Sequence, residues 1–144
     1  MGRKPEGDEE IINDGFLADT SVWINFFRDK SNRETEILTN ALEQNEPFFI
    51  CPVILMEILQ GVKMDSEYFI LKERLLSIEM LEIEHTESSI GAAELYRNLR
   101  KKGHTIKKTN DCLIAYYAIY FNIPLLHYDS DFTLIAKHTS LKIM

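Results

Sequence analysis

The chain has 144 residues, which is enough for one domain with a sizeable hydrophobic core. Its 45% hydrophobic content and 27% charged content are ordinary for a globular protein, and no apolar run approaches the roughly 20 residues of a membrane span. The net charge of −7 argues against a non-specific grip on nucleic acid, which normally requires a basic surface.

Residues 1–14 are polar, acidic and without hydrophobic periodicity, which predicts a flexible acidic segment before a single domain at 15–144. That segment carries a net charge of −3, and the domain carries the other −4. The N-terminus lacks the apolar stretch of a signal peptide, and the two cysteines, Cys51 and Cys112, stand in apolar surroundings. We therefore expect reduced thiols and a cytoplasmic protein.

From Gly15 onward, short apolar strands alternate with helical patterns. Pro52 suits the first position of a helix, and Gly61 suits the position at which that helix ends. Strands separated by helices predict an α/β domain with a mostly parallel sheet. We predict strands at 16–19, 47–51, 78–83, 123–127 and 141–143. We predict helices at 21–28, 33–45, 52–61, 65–77, 86–103 and 131–138, and one that starts at Thr109 or Asn110.

Four acidic residues stand at element ends or on apolar helix faces: Asp19, Glu57, Asp111 and Asp129. Asp19 ends the first strand and Asp129 follows the fourth, so both belong to the carboxyl edge of the sheet, where sites gather. Asp111 opens a helix on its packed side, and Glu57 shares a helix face with Ile54. A carboxylate at the edge of a core is costly unless a cation or hydrogen bonds compensate it. Four such residues predict a shared cation.

Hard divalent cations take oxygen ligands, so this set of acids predicts one or two Mg²⁺ or Mn²⁺ ions and the hydrolysis of phosphodiester bonds. We expect Asp19 and Asp111 to contact the metal directly. Glu57 and Asp129 would bind through water or hold a second ion, and Asp131 would be an accessory acid. Three polar neighbours would support and orient these carboxylates, namely Thr20, Ser21 and Asn110.

Most of these acids also have a simpler interpretation. Asp19 could cap the helix that begins at Ser21, and Asp111 could strengthen a helix N-terminus. For Asp131, capping the following helix is as plausible as metal contact. Glu57 lies within a helix and has no capping duty. The four histidines show no metal-ligand spacing, which argues against a zinc site.

One basic segment lies between residues 97 and 108, shortly before Asp111. Its cations could simply complement a helix C-terminus and solvate a loop. They could instead guide the phosphates of a nucleic acid toward the acids. The residues assigned to that binding role, which the resemblance described next makes RNA binding, are Arg97, Arg100, Lys101, Lys107 and Lys108.

Four segments in this order resemble the PIN domain, and specifically the toxin component of VapBC-type toxin–antitoxin pairs. They are Leu17 through Phe27, Pro52 through Gly61, Asp111 through Ala115, and Leu125 through Phe132. The resemblance runs from Phe16 to Ile143 and implies a three-layer fold with about five short strands. It also implies a metal-dependent endoribonuclease that uses the four acids, an RNA substrate, a small inhibitory antitoxin and a homodimer. Two features depart from the family pattern: Tyr116-Tyr117, where relatives often carry small residues, and the acidic lead-in.

Other functions compete with this interpretation. A PIN-fold module could bind RNA or antitoxin without cutting, although all four acids are present, and a stand-alone RNA-processing nuclease would need no antitoxin. A haloacid-dehalogenase-type phosphatase would need a second Asp two residues after Asp19, where this chain has Ser21. The short helices carry more aromatic side chains than a small core would bury, and exposed aromatic side chains favour a homodimer interface. They are Trp23, Phe26, Phe27, Tyr116 and Tyr117.

Overall fold

A computed structural model describes residues 15–144, and the predicted flexible segment at 1–14 lies outside the described residues. The described part of the chain contains four short strands: β1 Phe16–Ala18, β2 Phe48–Ile50, β3 Glu79–Met80 and β4 Leu125–Leu126. They form one parallel sheet in the order β3-β2-β1-β4. The central strand β1 pairs with β4 through Leu17 and Leu125, so the carboxyl ends of these two strands lie side by side.

Seven helices connect and flank these strands within residues 15–144. Their bounds are α1 Thr20–Phe27, α2 Arg33–Glu43, α3 Pro52–Gln60, α4 Asp65–Leu76, α5 His85–Lys101, α6 Thr109–Phe121 and α7 Ser130–His138. Pro52 takes the first position of α3 as predicted, and Asn32 and Thr35 form a capping box on α2. Asn122 ends α6 in the left-handed region, with φ of 55°. None of these helices is long and apolar enough to cross a membrane.

The sheet is the centre of the hydrophobic core. Leu17, Ala18, Ile50, Leu125 and Leu126 are fully buried, as expected for parallel strands that are covered on both faces. Helix α6 packs against α3, α5 and α7, and seven of its 13 residues are buried. The start of α6 is therefore held firmly against the rest of the domain.

The predicted α/β fold with a parallel sheet is confirmed, with four strands in the described residues instead of about five. The predicted strand at 141–143 is reduced to one parallel bridge between Leu125 and Ile143, because β4 offers only two residues for pairing. The predicted strand at 78–83 shrinks to β3. Its partner β2 is followed almost at once by α3, whose Pro52 has no N–H to extend the ladder.

The aromatic side chains are divided between the core and the surface. Trp23 and Tyr117 are buried, which corrects the expectation that they add to an exposed aromatic surface. Phe27 is 42% exposed. The ring of Tyr116 fills the space that a Cβ on Gly91 would occupy, so it packs α6 closely against α5. Only part of the predicted aromatic surface is available for association.

Candidate active site

The loops after β1 and β4 bring the first two acids to one edge of the sheet. Asp19 directly follows β1, and Asp129 follows β4 after His127 and Tyr128. The N–H of Asp19 donates to the carbonyl oxygen of Leu126 at 2.9 Å, which joins the ends of the two strands. The residues that follow two neighbouring parallel strands lie at the same edge of the sheet. Asp19 and Asp129 both lie at this edge.

Asp19 is buried and forms the N-cap of α1. Its Oδ2 accepts hydrogen bonds from the N–H of Ser21 at 2.9 Å and from the hydroxyl of Ser21 at 2.6 Å. The Ser21 Oγ in turn accepts the N–H of Tyr128 at 3.0 Å. Ser21 therefore fixes the Asp19 carboxylate and ties α1 to the loop after β4. Capping a helix and facing the site are compatible roles for Asp19.

Glu57 lies within α3 and has both carboxylate oxygens held by side chains. Its Oε1 accepts the hydroxyl of Thr20 at 2.5 Å, and its Oε2 accepts the side-chain amide of Asn110 at 3.0 Å. Thr20 begins α1 and Asn110 lies in the first turn of α6. Glu57 thus connects three helices. The predicted supporting residues Thr20 and Asn110 both donate their hydrogen bonds to Glu57.

Three carboxylates converge at the starts of α6 and α7. Asp111, Asp129 and Asp131 each offer one oxygen, and the three oxygens lie within 4.8 Å of one another. We call this set the three-carboxylate group. Asp129 caps α7, since its Oδ1 accepts the N–H of Asp131 at 3.0 Å. The alternative that Asp131 is the cap of this helix is therefore wrong, and Asp131 faces the other two acids instead.

The charge of this region is poorly compensated. Asp111 is only 5% exposed, and its Oδ2 has no hydrogen-bond partner among residues 15–144. Burial, together with the negative charge of Asp19, raises the pKa of Asp111 to about 7. Burial also raises the pKa of Asp19, against the lowering effect of the hydrogen bonds from Ser21. Acids that cluster without a cation behave in this way.

Among residues 15–144, Lys108 is the cation that contacts the three-carboxylate group. The ammonium of Lys108 donates to Oδ2 of Asp129 at 2.8 Å. Burial acts to raise the pKa of Asp129, but the hydrogen bonds from Lys108 and from the Asp131 N–H lower it below its usual value. The sequence left Lys108 with two interpretations, a solvated loop residue or an RNA contact. The structure adds a contact with Asp129, a candidate metal ligand, and the role of Lys108 in RNA binding stays a prediction.

The other basic residues assigned to RNA binding lie farther along the chain from the acids. Arg97, Arg100 and Lys101 are exposed in the last turns of α5, and Arg100 lies over the ring of Tyr96 at 5.6 Å. Lys107 is exposed in the loop before α6. Their role in RNA binding stays a prediction.

The donor set of the three-carboxylate group fits a hard divalent cation. Within the described residues, it is the only group of three or more potential ligands, and every donor is a carboxylate oxygen, the ligand type that suits Mg²⁺ and Mn²⁺. The unpartnered oxygen of Asp111 needs a cation or a proton. Asp19 and Glu57 do not belong to this group, so their metal contact stays a prediction.

The histidine and cysteine side chains near the acids do not suggest nucleophilic catalysis. The Nδ1 of His127 accepts the N–H of Asp129 at 3.2 Å, and its ring packs on Phe132, which gives it a structural role. Cys51 and Cys112 are buried and free. Burial raises the pKa of these thiols to about 12 and about 11, so neither is a thiolate nucleophile at neutral pH.

Comparison with known proteins places this arrangement in a family. The model of the PIN domain matches residues 16–138. The chain is 33% identical over 127 residues to ribonuclease VapC11 of Mycobacterium tuberculosis and to a VapC ribonuclease of Mycobacterium bovis, covering 88% of this chain and 95% of each relative.

Solved structures show the same fold. VapBC2 from Rickettsia felis, bound to a DNA fragment from its promoter, matches with a TM-score of 0.69 at 21% identity, over 90% of this chain and 97% of that chain. VapBC-5 from Mycobacterium tuberculosis matches with a TM-score of 0.63 at 20% identity, over 91% of this chain and 98% of that chain. Together with the domain match and the identity over most of the chain, this shows that the chain belongs to the PIN-domain family, alongside the VapC ribonucleases.

Proposed function

We propose that this chain is a metal-dependent endoribonuclease that hydrolyses RNA phosphodiester bonds as the toxin of a toxin–antitoxin pair. The observation that carries the proposal is the convergence of Asp111, Asp129 and Asp131 around a buried oxygen of Asp111 that lacks a hydrogen-bond partner in residues 15–144. The identity to VapC ribonucleases over most of the chain supports RNA as the substrate class.

Asp111, Asp129 and Asp131 would hold the first ion, Mg²⁺ or Mn²⁺. When bound, a divalent cation supplies charge neutralisation for the phosphodiester and activation of the attacking water. Asp19 and Glu57 would complete the site through water or by holding a second ion. This division differs from the expectation that Asp19 and Asp111 contact the metal directly while Asp131 is an accessory acid, because Asp131 rather than Asp19 lies with Asp111 and Asp129.

The remaining polar residues of the site orient the acids. Ser21 holds Asp19 with two hydrogen bonds, and Thr20 and Asn110 hold the two oxygens of Glu57. A carboxylate that is fixed in this way keeps its direction when substrate arrives, so less reorganisation is needed in the transition state.

A groove beside the site suits the proposed antitoxin. Its volume is about 590 Å³, and it lies between α1, α3 and α4. Glu57 lines one end, so an occupant of the groove would reach the acids. We call it the α1–α3–α4 groove, and its apolar lining consists of Ile24, Phe27, Ile58, Val62 and Leu71. An amphipathic helix of a small antitoxin fits such a lining, and an RNA substrate and two unpaired cysteines suit action in the cytoplasm.

A cleavage assay tests the proposed activity. Purified protein should cut single-stranded or looped RNA with Mg²⁺ or Mn²⁺ and stop on addition of EDTA. The matched control is Asp111→Asn, which keeps the shape of the side chain but removes its charge, and it should lose at least about 100-fold in rate because the ion loses a ligand. Cleavage that persists in EDTA or in this variant would overturn the proposal and favour a PIN-fold binding module or a contaminating nuclease.

A further inference from the structure

Basic and acidic residues are unevenly distributed along the chain, which the net charge of the whole protein does not reveal. Residues 97–144 contain eight Lys and Arg and only three acidic residues, which are the members of the three-carboxylate group. Residues 15–96 contain six Lys and Arg and 15 acidic residues. The net charges of the two segments are +5 and −9. Such asymmetry within an acidic protein is typical of contact with nucleic acid through the basic part.

The structure gathers five basic groups from this part of the chain at the ends of α5 and α7. The ammonium of Lys102 donates to the carbonyl oxygen of His138 at 3.0 Å. The rings of His104 and His138 stack, with centroids 4.2 Å apart. We call the set the α5–α7 basic surface, and its members are Lys101, Lys102, His104, Lys137 and His138.

Like charges dominate around this surface. Desolvation lowers the pKa of His138, and the charges of His104, Lys102 and Lys137 lower it further. Cations do favour helix C-termini, and both α5 and α7 end here. That preference accounts for one or two cations at each end. It does not explain why three further basic groups lie around His138, and a bound anion would offset their mutual repulsion.

A groove of about 460 Å³ lies beside these residues. Tyr116 and Ile119 form its apolar part, and Glu94 is the one carboxylate among its described lining residues. The other polar lining residues can donate hydrogen bonds, and they are Asn98, Lys101, Lys102, His138, Thr139 and Ser140. Cations next to hydroxyl groups and an aromatic ring form the kind of surface on which a phosphate and a neighbouring base bind together.

Helix α7 links this surface to the candidate active site. It begins beside the acids and ends at His138. Seven residues separate Asp131 from His138, which corresponds to about 10 Å along a helix. That distance equals the axial rise of about three stacked nucleotides, at roughly 3.4 Å each. An RNA strand that enters the active site can therefore reach the α5–α7 basic surface within a few nucleotides.

We propose that the α5–α7 basic surface binds the sugar–phosphate backbone of RNA about three nucleotides away from the bond that is cut. This inference rests on the proposed function, since it assigns a second contact region to the same substrate. Lys101, Lys102 and Lys137 contact phosphate oxygens, and the groove at Tyr116 receives a nucleotide.

Binding without cleavage provides the first test. Fluorescence anisotropy in EDTA, with a labelled 20-nucleotide single-stranded RNA, compares the parent with the triple variant Lys101→Gln, Lys102→Gln, Lys137→Gln. Each phosphate contact contributes about 0.7 to the slope of log Kd against log salt for a single strand, so the slope should fall by about 2 and the affinity at 0.1 M salt by roughly 10- to 100-fold. A matched triple variant with the same change in net charge, Lys30→Gln, Lys72→Gln, Arg74→Gln, should differ from the parent by less than about threefold.

Equal affinity and equal salt slope in the two triple variants would overturn the proposal. The proposal also fails if the basic-surface variant keeps its RNA affinity but loses affinity for a poly-glutamate peptide, because the surface would then serve an acidic protein partner. Lys101, Lys102 and Lys137 are exposed, so the basic-surface variant should match the parent in thermal melts.

Cleavage of shortened RNAs provides the second test and separates this inference from the proposed function. RNAs are shortened one nucleotide at a time on either side of the mapped cut. In the parent, KM should rise on one side when about three nucleotides are lost, and the basic-surface variant should show no such step. A parent without that step overturns the inference alone, whereas absence of any cleavage overturns the proposed function.

Discussion

At the scale of single residues, the buried carboxyl group of Asp111 controls how the site responds to pH and to metal. In the metal-free folded chain its pKa is raised to about 7, mainly by burial. In the unfolded chain an Asp releases its proton near a pH of about 3.9. Between these values the folded chain binds more protons than the unfolded chain, so the free energy of unfolding falls as pH rises.

We therefore predict that Asp111→Asn stabilises the metal-free protein at pH 8 by about 1–3 kcal/mol and has little effect at pH 4. Urea unfolding in EDTA at several pH values measures this difference. A residual decline with pH should remain in the variant, since burial also raises the pKa of Asp19. Saturating Mn²⁺ should reverse the order of stability at pH 8. A variant that is less stable than the metal-free parent at pH 8 would contradict the assignment of Asp111 as an uncompensated acid.

Lys108 competes with a cation for Asp129, because its ammonium lies 2.8 Å from Oδ2 of that residue. We predict that Lys108→Gln tightens Mn²⁺ binding by about two- to fivefold, the range that corresponds to roughly 0.5–1 kcal/mol for an exposed ion pair. Titration calorimetry of the purified protein without RNA measures the affinity. Lys107→Gln is the matched control, since it removes the same charge from the adjacent exposed position. Equal Mn²⁺ affinities in the two variants would show that the contact with Asp129 has no effect on the metal.

The residue types of the site could be predicted from the sequence, but their exact partners could not. A carboxylate next to a strand end or a helix start is visible as a pattern, which identified Asp19, Asp111 and Asp129. Whether Asp129 or Asp131 caps α7 depends on where the helix begins, and the cap lies two residues before Asp131. The contact of Lys108 depends on the direction of a long side chain, and no sequence pattern contains that information.

At the scale of elements, the ends of the helices around the site could be predicted from local sequence, whereas the lengths of the strands could not. Pro52 and Gly61 bracket α3, and the start of α6 at Thr109 follows from its polar first turn. The length of a strand depends instead on the partner that pairs with it. Residues 141–143 have the composition of a strand, yet they form only one bridge, because β4 is two residues long.

The packing of α5 against α6 depends on Gly91, where an added Cβ would collide with the ring of Tyr116. We predict that Gly91→Ala lowers the free energy of unfolding by about 1–3 kcal/mol, although alanine has the better helix propensity. Urea denaturation measures the change. Gly61→Ala is the control, since the nearest atom to its added Cβ is the carbonyl oxygen of Ile58 at 3.6 Å, an ordinary contact. If Gly91→Ala is as stable as the parent, the ring of Tyr116 does not lie over Gly91.

At the scale of the whole molecule, exposed apolar side chains on α4 favour self-association. Phe69 and Ile70 are 58% and 57% exposed, and isolated domains rarely leave neighbouring apolar side chains so open. We predict a homodimer in sedimentation equilibrium at tens of micromolar, and a shift to monomer in Phe69→Ser, Ile70→Ser. The control Ile90→Ser removes an exposed apolar side chain from α5 and should leave the dimer intact. A parent that is monomeric at these concentrations would contradict the prediction.

The α1–α3–α4 groove, which we propose as the binding surface for an antitoxin, differs from the surface that we propose for the dimer. Its apolar lining includes Phe27 from α1 and Leu71 from α4, and Glu57 stands at one end. An occupant of this groove would block RNA from reaching the acids while leaving Asp111 and its neighbours in place. The groove shares Glu57 with the site, whereas the three-carboxylate group lies outside the groove.

We predict that Phe27→Asp, Leu71→Asp abolishes complex formation with the antitoxin, because each introduced carboxylate would have to be buried without a partner. Co-expression with the proposed antitoxin, followed by size-exclusion chromatography, measures the complex. The variant assayed alone should still cut RNA, and the antitoxin should no longer stop it. Ile90→Ser again serves as the control, since its exposed side chain lies on α5, outside the groove. If the antitoxin still binds and inhibits the double variant, it covers the acids from another direction, and the groove between α1, α3 and α4 has no part in its recognition.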